Sequence, residues 1–302
     1  MPQTQPANPG ILLVHPRLLA PSPSSAASFL HWTKLHFRDM LRLDGVTCTL
    51  RFSAPETDAG YSHALDGEKM KTKLPVYLYM CVLSDVGIVK EAPYYGISRK
   101  LKLDEEKEGG DEQKKEGEEE DETMIFDIVD AKFAVYNSLF EGAGGTSSFP
   151  SITAMTTTTT TTTTATITAG PKPKYVLVCV SINPASTSST TTDTSSIPKL
   201  LHDSLIEKVK AAVPPALTTQ SCLYHWAGED AQPDMHPFID IGVSGEWMVM
   251  VLLGDEEGKT LSREHVCSLV EGWVGDCARG IVGAERGGKV GLGVWEGEVL
   301  MG

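Results

Sequence analysis

One histidine of this 302-residue chain lies in a setting suited to acid/base chemistry. Over residues 28–43 the apolar side chains Phe29, Trp32 and Met40 recur at three- and four-residue steps, and His36 lies on the same helical stripe. A histidine there points toward a sheet and any cavity beneath the helix. Because the ordinary pKa of imidazole is near neutrality, it could exchange a proton with a phenol or an activated carbon. A core histidine hydrogen-bonded to the backbone is the alternative, and the residue pattern alone favours it.

Further candidates lie on the predicted strands next to that helix. Arg51 could orient an anionic or phenolic oxygen through charge-assisted hydrogen bonds, although an exposed strand arginine fits the sequence equally well. Aromatic side chains could form the walls of a pocket for such a ligand, or could simply belong to the core, as aromatic residues at these spacings more often do. They are Trp32, Tyr77, Tyr79 and Tyr136.

No motif in the sequence indicates a cofactor or a metal. The six cysteines are scattered without a C-x-x-C pair, which favours reduced, buried thiols. Dinucleotide, Walker, G-x-S-x-G and H-E-x-x-H motifs are absent, and the glycine-rich residues 283–288 precede a strand rather than a helix. His202-Asp203, and His225 with His236, match no compact metal motif, so we expect surface or structural roles for them. We therefore predict no cofactor and no metal.

Charge and hydropathy limit the partners that this chain can have. The net charge is −14, and most of the excess acid lies in residues 104–122, so a nucleic-acid-binding surface is not expected. The longest apolar runs, 11–14 and 247–253, are too short for a transmembrane helix, and we predict no membrane partner. The N-terminus lacks a secretory signal, which favours the cytoplasm, with organelle targeting as a weaker alternative because no acid precedes Asp39. A small-molecule ligand remains compatible with the sequence.

The first half of the chain predicts the element order β-α-β-β-α-β. A strand at 10–15, closed by Pro16, precedes the helix at 28–43, which Asp44-Gly45 ends. Strands at 46–52 and 75–83, a short helix within 84–101 and a long strand at 124–140 follow. This order describes a ferredoxin-like α+β sandwich with helices on one face of an antiparallel sheet.

The same order recurs in the second half, which indicates an internal duplication. Strands are expected at 175–182, 221–226 and 289–300 and helices at 197–213 and 262–277, while 238–243 and 247–253 compete for the third strand. We predict a first module at 10–141, interrupted by a disordered acidic insert at 104–122, and a second, degenerate module at 172–302. Between them, residues 142–171 contain nine successive threonines and are typical of a disordered linker. The second module has no histidine at the position of His36.

Parts of the first module resemble a known family. Residues 29–40 (FLHWTKLHFRDM), followed by Asp44-Gly45-Val46 and Leu50-Arg51-Phe52, resemble the first helix and second strand of EthD-like proteins of the dimeric α/β-barrel superfamily, in a fungal tandem-repeat form. Residues 126–136 (FDIVDAKFAVY) resemble the closing strand of that family. The resemblance covers most of the first module, whereas the second module matches in element order only.

The resemblance implies two ferredoxin-like βαββαβ modules that pack as an intrachain dimeric α/β-barrel. Such a chain is a pseudo-dimer by itself and is compatible with a monomer. The family includes cofactor-independent monooxygenases, dehydratases, cyclases and decarboxylases of secondary metabolism that act on small aromatic or polyketide-like compounds.

Two functional hypotheses follow. In the first, the chain is a cofactor-independent tailoring enzyme, with His36 as proton shuttle, Arg51 as substrate anchor and the aromatic residues as pocket walls. In the second, it is a non-catalytic small-molecule-binding or scaffold protein that retains the barrel, which the irregular second half and the low-complexity segments favour. A closed pocket lined by His36 and two or more tyrosines would support the enzyme, and a barrel filled by bulky side chains would support the scaffold.

Overall fold

A computed structural model describes residues 8–54, 76–101, 123–139, 174–183, 196–233, 246–255, 261–283 and 288–298. The predicted acidic insert at 104–122 and the predicted linker at 142–171 lie outside these residues. The same holds for residues 238–243, one of the two candidates for the third strand of the second half.

Each half contributes four strands and a layer of helices. The elements of the first half are β1 (Gly10–Leu18), α1 (Pro23–Met40), β2 (Val46–Ala54), β3 (Val76–Leu83), α2 (Ala92–Gly96) and β4 (Val129–Ser138). Those of the second half are β5 (Lys174–Asn183), α3 (Ser196–Ala212), β6 (Thr218–Trp226), β7 (Trp247–Asp255), α4 (Arg263–Trp273), α5 (Arg279–Val282) and β8 (Lys289–Glu298). A π-helical turn, Val274–Ala278, connects α4 to α5.

The eight strands form one closed antiparallel barrel in the order β1-β3-β2-β8-β5-β7-β6-β4. Within each half the strands have the order fourth, first, third, second, which is the ferredoxin-like arrangement. The halves meet where β2 pairs with β8, at Arg51–Ser53, and where β4 pairs with β6, at Tyr136–Ser138. The predicted fold class, two βαββαβ modules in an intrachain α/β-barrel, is confirmed.

Bulky side chains from both halves fill the interior of the barrel. Trp295, Tyr136, Tyr224 and Phe52 are each at most 1% exposed there. Gly293 makes room for the largest of them, since a Cβ at that position would overlap the Trp295 ring. The interior is therefore a packed core of the kind that small barrels have.

The outer face of the barrel is covered by helices, and the two halves differ in how completely. Under α3 and α4 of the second half, apolar side chains such as Leu205, Val209, Val270 and Trp273 form a continuous cluster with the sheet. In the first half, α2 has only five residues, and a 3-10 turn at Val86–Lys90 precedes it. The smaller second helix leaves room beside α1.

Two element boundaries of the first half differ from the predicted ones. The first strand does not end at Pro16 but continues to Leu18, because β1 pairs with β3 only as far as Val14 and thereafter with β4 alone. A proline is tolerated where a strand has a neighbour on one side only.

The helix α1 begins at Pro23 rather than at residue 28, and it ends at Met40 rather than at residue 43. The Ser22 hydroxyl accepts the Ser25 N–H at 3.1 Å, and the Ser25 side chain accepts the Ser22 N–H at 2.8 Å. These reciprocal bonds form an N-terminal capping box, and Pro23 suits the first turn because it has no N–H to satisfy.

No helix in the described ranges is long enough and apolar enough to cross a membrane.

Candidate functional site

A cavity of about 50 Å³ lies between α1 and the helix-covered face of the first half's sheet. Its walls come from α1, from β1, β3 and β4, and from α2 with the residues that follow it. Most of the lining is aliphatic or phenyl. The side chains that bring polar, indole or thiol groups to it are Trp32, His36, Tyr79, Cys81, Tyr94 and Arg99.

The helix α1 places Trp32 and His36 together at this cavity. They are one turn apart on the helix, and their rings stack with centroids 4.4 Å apart and an interplanar angle of 13°. The Trp32 Nε1–H donates to the Lys100 carbonyl at 3.0 Å, which ties α1 to the segment after α2. The indole therefore fixes both the imidazole ring and the wall opposite it.

His36 is a neutral imidazole at physiological pH. Burial lowers its pKa from 6.5 to about 4, and the positive charge of Arg99 lowers it further, while a backbone hydrogen bond with Ser98 acts in the opposite direction. Its Nδ1 atom is buried and has no hydrogen-bond partner among the described residues. Because buried polar atoms are nearly always paired, this nitrogen is a candidate acceptor or donor for a bound molecule.

Arg99 contributes the positive charge of the site. Its Nη1 atom donates to the carbonyls of Tyr95 and Ile97, both at 3.1 Å, and its guanidinium lies 5.8 Å from the centre of the Tyr94 ring. In the part of the chain that the structure describes, no carboxylate forms an ion pair with it. Sequence reasoning missed this arginine, because it is 63 positions from His36 (99 − 36) in a segment that was expected to be helical.

Tyr79 and Cys81 line the floor of the cavity as uncharged groups. The Thr33 hydroxyl donates to the Phe29 carbonyl at 2.7 Å, so its oxygen accepts the hydrogen bond from the Tyr79 hydroxyl at 2.9 Å. Burial raises the pKa of Tyr79 and that of Cys81 to about 12 each. Both side chains are therefore protonated and uncharged at neutral pH.

The six residues singled out from the sequence are brought together only in part. Trp32, His36 and Tyr79 share the cavity wall. Arg51 and Tyr77 lie beside the cavity without lining it: the Arg51 guanidinium stacks 4.7 Å above the Tyr77 ring, and Arg51 is only 8% exposed.

The prediction that Tyr136 lines this pocket is wrong. Tyr136 packs inside the barrel, on the opposite face of the sheet from His36. Both faces of β4 are buried, so apolar residues occur at odd and even positions alike and the sequence does not reveal which of them face the helix.

Three histidines of the second half, His202, His225 and His236, were weighed as metal ligands. His236 lies outside the described residues, and the other two have local partners: His225 lies 3.4 Å from the Glu246 carboxylate. The ring of His202 is within hydrogen-bond distance of Asp203, at 2.9 Å, and of the Ser221 hydroxyl, at 3.2 Å. Asp203 is more than half exposed and also pairs with Lys199, as expected for a helix-surface contact. Across the described ranges, no group of three or more His, Cys, Asp or Glu side chains could hold a metal ion.

The chain was compared with protein families, curated proteins and solved structures. No family model matches it, and no curated protein is significantly similar to it. A solved structure of a candidate chlorite dismutase is similar at 10% identity and a TM-score of 0.43, over 97% of this chain and 95% of that chain. A heme-binding protein from Thermus thermophilus is similar at 10% identity and a TM-score of 0.42, over 96% of this chain and 90% of that chain. Likenesses this low assign no activity and no ligand to the chain.

Proposed function

We propose that the cavity under α1 binds a small molecule and that His36 exchanges a proton with it, without a cofactor. The observation that supports this most directly is the buried Nδ1 atom of His36, which lacks a partner among the described residues. Two tyrosines, Tyr79 and Tyr94, also line the cavity, and this supports the enzyme hypothesis. Arg51 is left out of this proposal because it stacks on Tyr77 outside the cavity.

The size of the cavity bears on the substrate. A water molecule needs roughly 10–15 Å³, and an engineered cavity that binds benzene measures about 150 Å³. At about 50 Å³ the cavity holds roughly two to five non-hydrogen atoms without rearrangement. We propose that the chain is a member of the EthD-like family. An aromatic or polyketide-like substrate of that family would fit only if the cavity walls move apart. Monooxygenase, dehydratase, cyclase and decarboxylase chemistry all remain within the proposal.

A non-catalytic scaffold is the second candidate. The observation that favours it is the interior of the barrel, where Trp295, Tyr136, Tyr224 and Phe52 are packed without exposure to solvent. In either case we propose that the chain acts as a monomer, because both halves of the barrel come from one chain.

A ligand screen by thermal shift tests the proposal, since a ligand that binds only the folded state raises the melting temperature. Wild type, His36→Leu and His31→Leu are each screened against small acids, amides and phenols. His31 is an exposed residue on the same helix and serves as the matched control. We expect hits shared by wild type and the His31 variant that the His36 variant loses.

Turnover of any substrate found in this way separates the enzyme from the scaffold. A positioned acid/base group contributes roughly 100-fold or more, so His36→Leu should lose at least that much in kcat. A loss below about tenfold contradicts the catalytic role of His36. The absence of any hit with wild type contradicts the small-molecule site and leaves the scaffold.

A further inference from the structure

The position of Arg99 narrows the class of ligand that the cavity takes. We propose that the cavity binds the carboxylate of a small organic acid of about two or three carbons, held between the Arg99 guanidinium and Nδ1 of His36. This inference rests on the proposed function, since it names the ligand of the same site.

The first support is the fixed orientation of the guanidinium. An arginine has five N–H donors in a planar fork. Two contacts of Nη1, to the backbone carbonyls of Tyr95 and Ile97, hold one corner of that fork in place. Nε and Nη2 are the remaining donor atoms, and this is the edge of a guanidinium that matches the two oxygens of a carboxylate. The Arg99 side chain also hydrogen-bonds to the Tyr94 hydroxyl, and this contact places the guanidinium against the cavity wall.

The second support is the balance of charge around the cavity. Arg99 brings a positive charge to a mostly apolar lining, and the described residues supply no carboxylate to pair with it. The groups that face His36 are Tyr79 and Cys81 from β3, Tyr94 from α2, and Arg99 itself. Burial raises the pKa of each of the first three, so they stay neutral. A half-buried cation with neutral neighbours is best stabilised by an anion.

The third support is the vacant nitrogen of His36. A carboxylic acid can donate its proton to Nδ1 and leave a carboxylate between imidazolium and guanidinium, or it can share that proton in a hydrogen bond. In both cases one proton enters the complex with the anion. Since free imidazole and free carboxylate are both unprotonated above about pH 5, binding takes up a proton, and the apparent Kd rises about tenfold for each pH unit.

The volume of the cavity limits the acid to a small one. Acetate has four non-hydrogen atoms and propionate five, within the roughly two to five positions derived above. Benzoate has nine and needs the walls to move.

The test titrates the protein with sodium acetate, sodium propionate and acetamide at constant ionic strength, with heat of binding and melting temperature as readouts. Acetamide has the shape of acetate without its charge. We expect acetate and propionate to bind wild type, with a Kd about 100-fold weaker at pH 7.5 than at pH 5.5, and acetamide to bind at least tenfold more weakly than acetate at pH 5.5.

Variants assign the charge to Arg99. Arg99→Met should weaken acetate binding at least tenfold, whereas Arg42→Met, an exposed arginine of the loop after α1, should leave it unchanged. Arg99→Lys keeps the charge without the fork and should bind with intermediate affinity, which keeps the test informative if Arg99→Met does not fold. His36→Leu should abolish the dependence of Kd on pH.

The outcomes separate this inference from the function on which it rests. Equal binding of acetamide and acetate, or unchanged acetate binding in both Arg99 variants, overturns the carboxylate assignment while a small-molecule site stands. If acetate, acetamide and the phenols of the first screen all fail to bind wild type, both proposals are wrong.

Discussion

Lowering the pH from 7.5 to 4.5 should destabilise this protein through two histidines. Burial lowers the pKa of His36 and that of His15 from 6.5 to about 4 each. The second cause is a nearby positive charge, that of Arg99 for His36 and that of Lys132 for His15. In the unfolded chain both take up protons below pH 6.5, whereas the folded state resists until about pH 4. The contribution of the two neutral histidines to the free energy of unfolding is therefore complete above about pH 6.5 and is lost as the pH falls toward 4.

The size of the effect follows from the two pKa values of each group. For His36, the free energy of unfolding should fall by about 1.4 kcal/mol at pH 5.5 and by about 2.6 kcal/mol at pH 4.5, relative to its value above pH 7. His15 adds a loss of similar size, so together they remove about 5 kcal/mol at pH 4.5. That sum equals the total stability of a marginal domain.

Urea unfolding followed by tryptophan fluorescence measures this at pH 7.5, 5.5 and 4.5, with His36→Leu and His31→Leu beside wild type. The leucine variant at position 36 cannot take up the proton. Between pH 7.5 and pH 4.5, its free energy of unfolding should therefore fall by about 2.5 kcal/mol less than that of wild type. His31→Leu replaces an exposed histidine of the same helix by the same residue and is the matched control. Equal pH dependence in wild type and His36→Leu would refute the assignment of a buried, neutral imidazole.

Two further predictions concern the barrel. Gly293→Ala should destabilise the protein by roughly 1–3 kcal/mol in urea, because the new Cβ overlaps the Trp295 ring, whereas Gly272→Ala, where a Cβ meets nothing, should stabilise helix α4 by up to about 1 kcal/mol. Equal effects of the two changes would contradict the packed interior. The second concerns Gln232, whose Oε1 accepts the Val135 N–H at 2.8 Å and so links the segment after β6 to β4. Gln232→Ala should cost roughly 1–3 kcal/mol, since it leaves a buried N–H unpaired, and amide exchange at Val135 should accelerate. Unchanged exchange would show that the bond is dispensable.

The strands were predictable from the sequence because their signals are local. Runs such as 46–52 and 75–83 are β-branched or aromatic and end at polar or turn-forming residues, and each corresponds to a strand of the barrel. The start of α1 is harder to predict, because a serine before a proline, here Ser22-Pro23, is a turn signal as well as a helix start. The module boundaries and the disordered linker at 142–171 remain predictions.

The candidate site was only half predictable, for a physical reason. Helical periodicity placed Trp32 and His36 on one face, since a three- and four-residue repeat is visible in the chain itself. Arg99 lies in the irregular segment after α2, and this segment is held against α1 because the Trp32 indole donates a hydrogen bond to the neighbouring Lys100 carbonyl. Contacts of this kind depend on tertiary packing, and no periodic pattern encodes them.

The indole N–H signals of the five tryptophans in a heteronuclear NMR spectrum test the location of the ligand site most directly. Each signal is assigned by a Trp→Phe variant, and the spectrum is recorded with and without the ligands found by thermal shift. The account predicts that the Trp32 signal moves, because this ring stacks on His36, while the Trp295 signal from the barrel interior stays in place. A shift of Trp295 without a shift of Trp32 would place the ligand inside the barrel and contradict a site under α1.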